Sequence, residues 1–246
     1  MENYKKKLSY ILGMFIKNQA AMKIGNYLVV SDIHIGLTKD LWQAGVSLPS
    51  QVSSLAKRIN KLKRLTHAKY LVINGDLKHK VTGISAQERR EVPEFISLLR
   101  FSKIVIIKGN HDGNIEKLID DRRVSVKKSL AVGSCLITHG HMSVKTTKKI
   151  IVVGHNHPCV RFRDEMGAVY TEPVWVRGKA EEKDAKGVMH SKTIIIMPAF
   201  NELSGYYTVN KGRFQGPVAS TLTKSAHIYL LDGTDLGRIR DVKLKE

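Results

Sequence analysis

Apolar residues recur along this chain in two rhythms. Short runs bounded by glycine or charge occur at Asn26–Val30 (NYLVV), Tyr70–Asn74 (YLVIN) and Lys103–Gly109 (KIVIIKG), and their length and β-branched content predict buried strands. Between them the period lengthens. Val52, Leu55, Ala56, Ile59, Leu62 and Leu65 recur every three or four residues, which predicts a helix with Ser50 as N-cap after Pro49. Its opposite face carries Lys57, Arg58, Lys61, Lys63 and Arg64. A second helix is expected near Glu91 to Phe101, with Pro93 in its first turn. Strands alternating with helices imply a parallel sheet whose carboxyl ends share one edge.

The second half reads differently. SCLITHG and IIVVGHN are two further apolar strands, and TIIIMPAF is a third. The final HIYLLDGTDLGRIRDVKL predicts a hairpin turning at Asp232-Gly233. Residues 160 to 190 mix charges with glycine and are expected to form a surface hairpin or loop insertion. No linker composition divides the chain, so one domain over residues 1–246 is expected, with 191–246 as closing strands. The fold class is α/β.

Charge sharpens the picture. Lysine and arginine number 41 against 22 aspartates and glutamates, a formal net charge of +19. Solvated lysine-rich surfaces usually interleave nearly equal numbers of acids. This excess points to a polyanion, and nucleic acid is the expected partner. Cys135 and Cys159 lie in apolar contexts, which suits core thiols in a reducing cytoplasm rather than a disulfide framework. No apolar run is long enough to span a bilayer, so no membrane partner is expected. The N-terminal stretch lacks the apolar core and cleavage site of a signal peptide. Tyr10, Ile11, Met14 and Phe15 are expected on one face of a short surface helix, as a lid or a homodimer contact.

The candidate chemistry collects where strands end. Asp32-Ile33-His34 follows the first strand, Gly75-Asp76-Leu77-Lys78-His79 the second and Gly109-Asn110-His111-Asp112 the third. The next two deliver Thr138-His139-Gly140-His141 and Gly154-His155-Asn156-His157. Open α/β sheets bind ligands at this edge. Carboxylates, an amide oxygen and imidazoles together suit Mn²⁺, Fe²⁺, Ni²⁺ or Zn²⁺. Two such ions would acidify a shared water and clamp a phosphoryl oxygen, which is hydrolysis at phosphorus. Glycines before Asp76, Asn110 and His155 let backbone crowd close to a metal. By contrast, His67, His190 and His227 stand alone and read as hydrogen-bonded surface residues. Asp112 reads as a support for neighbouring residues or a cap for a helix starting near Asn114.

Asp-x-His, Gly-Asp-x-x-His, Gly-Asn-His-Asp, His-Gly-His and Gly-His-x-His, in this order over residues 28 to 158, resemble the calcineurin-like metallophosphoesterases. The resemblance implies a sandwich of two mixed β-sheets flanked by helices, a dinuclear metal site and phosphoester hydrolysis. By position it implies that Asp32, His34 and His157 hold one ion, that Asn110, His139 and His155 hold the other, and that Asp76 bridges them. His139 takes the ligand role by family usage, with His141 behind it. His111 would contact the scissile phosphate and protonate or stabilise the leaving oxygen. Manganese is the expected metal.

His79, in Gly-Asp-Leu-x-His, resembles the double-strand-break-repair exonuclease branch, where such a histidine lies by the phosphate. AGVSLP (44–49) and MPAFNELSGYYTVN (197–210) are similar to archaeal phosphoesterases related to that exonuclease and to ligase-associated DNA endonucleases. The exonuclease's long capping domain has no counterpart here, so no ATPase partner is implied. The expected function is a metal-dependent phosphodiesterase or nuclease of DNA or RNA, with a DNA-repair role. Hydrolysis of a small phosphoester, such as a cyclic or modified nucleotide, is the alternative. A non-catalytic scaffold is disfavoured because no expected ligand is missing. Lys145, Lys148 and Lys149 are expected to flank the metal site, and the Lys57 to Arg64 face to lie on its far side. Trp42, Phe200, Tyr206 and Tyr207 read as core or rim packing before base-stacking platforms.

Overall fold

The computed structural model describes residues 13–183, 189–209 and 212–242. Two β-sheets pack face to face. The first runs β1 (Ala21–Ile24), β2 (Tyr27–Val30), β3 (Tyr70–Asn74), β4 (Lys103–Ile107) and β5 (Val124–Lys127) in that spatial order. β1 pairs antiparallel with β2, and β2 to β5 are parallel. Helices α1 (Leu37–Gln43), α2 (Val52–Thr66) and α3 (Ala86–Leu98) belong to this half. The second sheet is built on β6 (Ser129–Val132), β7 (Cys135–Thr138), β8 (Ile150–Val153), β9 (Pro158–Arg163), β10 (Val169–Lys183), β11 (Met189–Ile196) and β12 (Tyr207–Thr208), ordered β12-β9-β10-β11-β8-β7-β6. β13 (His227–Leu230) pairs with β10 and, through the expected hairpin, with β14 (Asp235–Arg238).

Strand alternation sorts side chains into three core layers. Leu28, Val30, Leu71, Ile73, Ile104 and Ile106 face the helices, packing with Leu55, Ile59, Leu62 and Phe95. The intervening Val29, Val72 and Val105 face the other sheet, where they meet Ile137, Val152, Trp175 and Ile195. On the far side, Ile151, Val153, Ile194 and Ile196 pack against Phe214, Val218 and Ala219. Both faces of the central strands are therefore buried, which is why they read as continuous apolar runs. Among the described residues the α-helices flank the first sheet, while the segment after Gly212, with a short 3-10 turn at Ala219–Thr221, covers the second.

Three expectations change. The residue 160–190 stretch is not a surface insertion throughout: Val174, Trp175 and Val176 are fully buried, because β10 is hydrogen-bonded to β9, β11 and β13 along its length. Among the described residues its outer turn is exposed, as at Met166 and Tyr170. The second helix starts five residues earlier than predicted, at Ala86, where Ser85 and Glu88 form a reciprocal capping box, and Pro93 lies well inside it. Near the N-terminus, Tyr10 and Ile11 fall outside the described residues, whereas Met14 is buried and Phe15 stacks on Trp175 at 4.2 Å. Those two side chains are core, not the free face of a lid. The two cysteines are free and buried, as expected.

Candidate metal centre

The carboxyl ends of β2, β3, β4, β7 and β8 meet at one edge of the sandwich, and the loops leaving them are knitted by backbone hydrogen bonds. Asp32 N–H donates to the Gly75 carbonyl (3.1 Å), His34 N–H to the Asp76 carbonyl (2.9 Å) and Gly154 N–H to the His139 carbonyl (3.1 Å). To bring their side chains together, Asp32, His34, Asp76, His155 and His157 adopt left-handed backbone, with φ from 41° to 69°. Each such residue costs on the order of 1–3 kcal/mol, and strain of this kind clusters where function over-determines the geometry. The three glycines serve the crowding expected of them. A Cβ on Gly75 would fall within the His139 imidazole, one on Gly109 against the Asp76 carboxylate, and one on Gly154 only 2.8 Å from Asp32 Oδ2.

Seven predicted donors converge. Asp32 Oδ1 lies 3.2 Å from His157 Nε2, which is 3.3 Å from His34 Nε2. Asp76 Oδ2 lies 3.2 Å from His139 Nε2 and 3.9 Å from His34 Nε2, between the two groups. Asn110 Oδ1 stands 3.2 Å from His139 Nε2. Asp32–His34–His157 and Asp76–His139–His155 each bring their ligand atoms within 4.8 Å of one another. The outer ring nitrogens are tied back: His139 Nδ1 to the Asn74 carbonyl (3.0 Å), His157 Nδ1 to the Ser204 carbonyl (3.3 Å) and His34 Nδ1 to His79 Nδ1 (3.2 Å). An Nδ1–H donated to a carbonyl leaves the Nε2 lone pair facing inward, the arrangement a metal-binding imidazole requires. His111 and His155 backbone N–H groups donate to Asp76 Oδ1 (2.9 Å) and Asp32 Oδ1 (3.2 Å), orienting both carboxylates.

Electrostatics follow from packing two carboxylates among imidazoles out of water. Burial pushes the Asp32 and Asp76 carboxyls up, but His157 and His139 beside them more than offset this and hold both below the usual carboxylate range. Burial also pulls His34 down to about 3 and His155 to about 4, so both stay neutral and able to donate a lone pair. His139 goes the other way: burial pulls it down most, but the Asp76 hydrogen bond and charge, the Asp32 charge and the Asn74 carbonyl together raise it to about 9. The donor set fits a divalent cation that displaces the His139 proton: deprotonated carboxylates, inward imidazole nitrogens and an amide oxygen.

Beside the donors, His111 Nε2 reaches within 3.8 Å of Asp76 Oδ2 while its Nδ1 hydrogen-bonds the His79 carbonyl. His79 has both ring nitrogens engaged, Nδ1 on His34 and Nε2 on Asp40 Oδ2 at 3.2 Å. His141 packs its ring 5.3 Å from that of His139, and its Nδ1 has no partner among the described residues. Asp112 is fully buried and accepts from Gly109 N–H (2.8 Å) and Lys78 N–H (3.2 Å). It buttresses two metal-site loops instead of capping the short helix at 115–118. Lys148 does not flank the site: its ammonium bonds the Gly133 carbonyl, at the entry to β7 and the opposite edge of the sheet. Of the four aromatics, Phe200 is buried and Tyr207 half-buried, but Trp42 is 67% exposed. Sequence reading missed Asp40, on the unassigned helix α1, and the supporting carbonyls of Asn74 and Ser204; backbone acceptors leave no mark in a sequence.

Among the described residues no helix is long and apolar enough to cross a membrane. No curated protein matches the chain. The solved structure of nuclease MPE from Pseudomonas putida is similar, with a TM-score of 0.53 at 20% identity, covering 86% of this chain and 88% of that one. Yfce, a phosphoesterase from E. coli, aligns with a TM-score of 0.40 at 14% identity, covering 86% and 97%. At these identities the likeness concerns fold. The family model of calcineurin-like phosphoesterases matches residues 25–195, and so spans every metal-site loop just described. The chain belongs to the calcineurin-like phosphoesterase family.

Proposed function

We propose that this protein is a dinuclear metal-dependent phosphodiesterase that cleaves nucleic acid. The observation that carries the metal chemistry is the convergence of seven donors, with the outer nitrogens of three imidazoles tied back. Asp32, His34 and His157 would hold one ion, Asn110, His139 and His155 the other, with Asp76 between them. Mn²⁺ suits this mixed set, and Fe²⁺, Ni²⁺ and Zn²⁺ are the competing ions. When bound, such ions acidify coordinated water and neutralise phosphoryl oxygens.

The chain's own residues supply the rest. Asp76 and Asp32, aimed by the backbone N–H groups of His111 and His155, would hold the ions in place. His111 donates Nδ1–H to the His79 carbonyl and turns Nε2 toward the site, so it is the imidazolium form that places an Nε2 proton for the departing oxygen. His79, held by Asp40, keeps His34 in the orientation that presents Nε2 inward. Nucleic acid as substrate is supported by the +19 charge and accords with the fold likeness to a nuclease. The test is cleavage of labelled single- and double-stranded DNA and RNA, alongside bis(p-nitrophenyl) phosphate, after chelation and again with Mn²⁺. Turnover of the small diester with no nucleic acid cut would move the reading to a small phosphoester. Equal activity in excess chelator would exclude metal dependence.

A further inference from the structure

Away from the metal centre, a cleft of about 760 Å³ runs beside α2, walled by the segment around Lys17 and by the turn at Arg100. Its lining contains Lys17, Lys57, Arg58, Lys61, Arg64 and Arg100 and, among the described residues, no carboxylate. We infer that this cleft binds the phosphate backbone of nucleic acid flanking the cleaved bond. The inference rests on the nucleic-acid reading above.

Four features of the cleft point there. Lys57, Lys61 and Arg64 lie four and three residues apart, so they project from one side of α2 over about 10 Å of its axis. At a rise of about 3.4 Å per nucleotide, that length faces about three phosphates. All three side chains are exposed, and none of them forms an ion pair among the described residues. Elsewhere, Lys108 and Arg123 sit within 2.9 Å and 2.6 Å of an acid. Like charges gathered in a concavity repel one another and draw in a polyanion, whereas a surface tuned only for solubility interleaves both signs.

The concavity is also built. Asn60 donates to the Leu98 carbonyl (2.8 Å) and accepts from Arg100 N–H (2.9 Å), and Lys63 bonds the Arg100 carbonyl, so the far wall is tied to α2. Leu65 and Leu98, 64% and 39% exposed, leave apolar surface that sugar and base faces can cover. Finally, one hydrogen-bonded segment links the wall of the cleft to the metal centre. Arg58 donates to the Phe200 carbonyl (3.1 Å), pairs with Glu202 (3.1 Å) and lies over the Phe200 ring. The same segment reaches the metal site, with Asn201 N–H on the Asp32 carbonyl (3.4 Å) and the Ser204 carbonyl on His157. Residues 200–204 thus touch the cleft wall at Arg58 and the metal site at Asp32 and His157, and a bound strand reaching from one to the other would run along them.

The experiment compares wild-type protein with Lys57→Ala/Lys61→Ala/Arg64→Ala and with a charge-matched control, Lys145→Ala/Lys148→Ala/Lys149→Ala. Binding of labelled 30-nucleotide single strands and duplexes is measured from low to moderate salt, each protein carrying Asp76→Asn to prevent cleavage. The cleft variant should lower the log–log salt slope by about 2 to 3, since each lost phosphate contact removes about 0.7 to 0.9. With Asp76 intact, its ratio of oligonucleotide to bis(p-nitrophenyl) phosphate turnover should fall at least tenfold. Lys61→Glu alone should act in the same direction if the triple variant folds poorly. Slopes equal in both triple variants, with wild type still cutting nucleic acid, would overturn the cleft and leave the nuclease reading standing. Wild type that neither binds nor cuts nucleic acid but turns over the small diester would overturn both. Loss of poly-glutamate binding with oligonucleotide binding intact would assign the cleft to an acidic protein and overturn it as well.

Discussion

Gly75→Ala tests the claim that glycine placement lets the metal centre close. Gly75 has φ of +86°, and a Cβ built there lies 2.8 Å from His139 Cβ and nearer still to the ring. Two costs separate. A left-handed alanine costs on the order of 1–2 kcal/mol, which for a chain of this size lowers Tm by about 2–4 °C per kcal/mol. The steric cost falls on function: the imidazole must withdraw by about 1 Å, and a misplacement of that size lowers rate by about 10²-fold. Its Nδ1 would also leave the Asn74 carbonyl, and losing such a support weakens metal binding by about 10–100-fold. Gly83→Ala is the matched control, because Gly83 has φ of +77° with nothing within 4 Å of its added Cβ. It should show the Tm loss alone. The assays are thermal unfolding with and without metal, Mn²⁺ titration by calorimetry, and bis(p-nitrophenyl) phosphate turnover. Wild-type Mn²⁺ affinity and turnover in Gly75→Ala would refute the reasoning.

Asp76→Asn should abolish Mn²⁺ binding and hydrolysis together, whereas His111→Ala should keep the metal and lose about 10²–10⁴ in rate; full turnover by the His111 variant removes its assignment. In the metal-free protein His139 holds a proton up to about pH 9, because the two aspartates and the Asn74 carbonyl together outweigh burial, so metal must displace that proton. Mn²⁺ affinity should therefore rise with pH below about 9, by about tenfold per unit for each proton released, and calorimetry in two buffers of different ionisation enthalpy would show it. Asp40→Ala should lower metal affinity through His79 and His34 while leaving Tm nearly unchanged, since Asp40 is exposed; an unaltered affinity would detach it from the site. Trp175→Ala should cost about 3–5 kcal/mol by opening a cavity beneath Phe15, read as a fall in denaturant midpoint, and a fall below 1 kcal/mol would contradict its place in the inter-sheet core.

The side chains that converge at the candidate metal centre were legible because each motif is local. A run such as Ile150–Val153 and the His155-Asn156-His157 that follows lie within a few residues, so strand pattern and polar tip are read together, and chain order brings five such tips to one edge. The glycines before Asp76, Asn110 and His155 were legible for the same reason, although only the tertiary structure shows which side chain each makes room for. What the sequence could not contain is pairing over distance. Trp175 sits amid charge and glycine and reads as surface; hydrogen bonding of β10 to β11 and β13 turns it inward, because burial of a strand is decided by its neighbours and register. Likewise, Lys145, Lys148 and Lys149 precede a metal-site strand in sequence, yet Lys148 lies at the far edge, since a strand's start and end are on opposite sides of its sheet. Lys57, Lys61 and Arg64 look like an ordinary solvated helix face until Lys17 and Arg100, 40 or so residues away, close a cleft against them. Periodicity sets which face of an element is apolar; only packing decides what the other face looks upon.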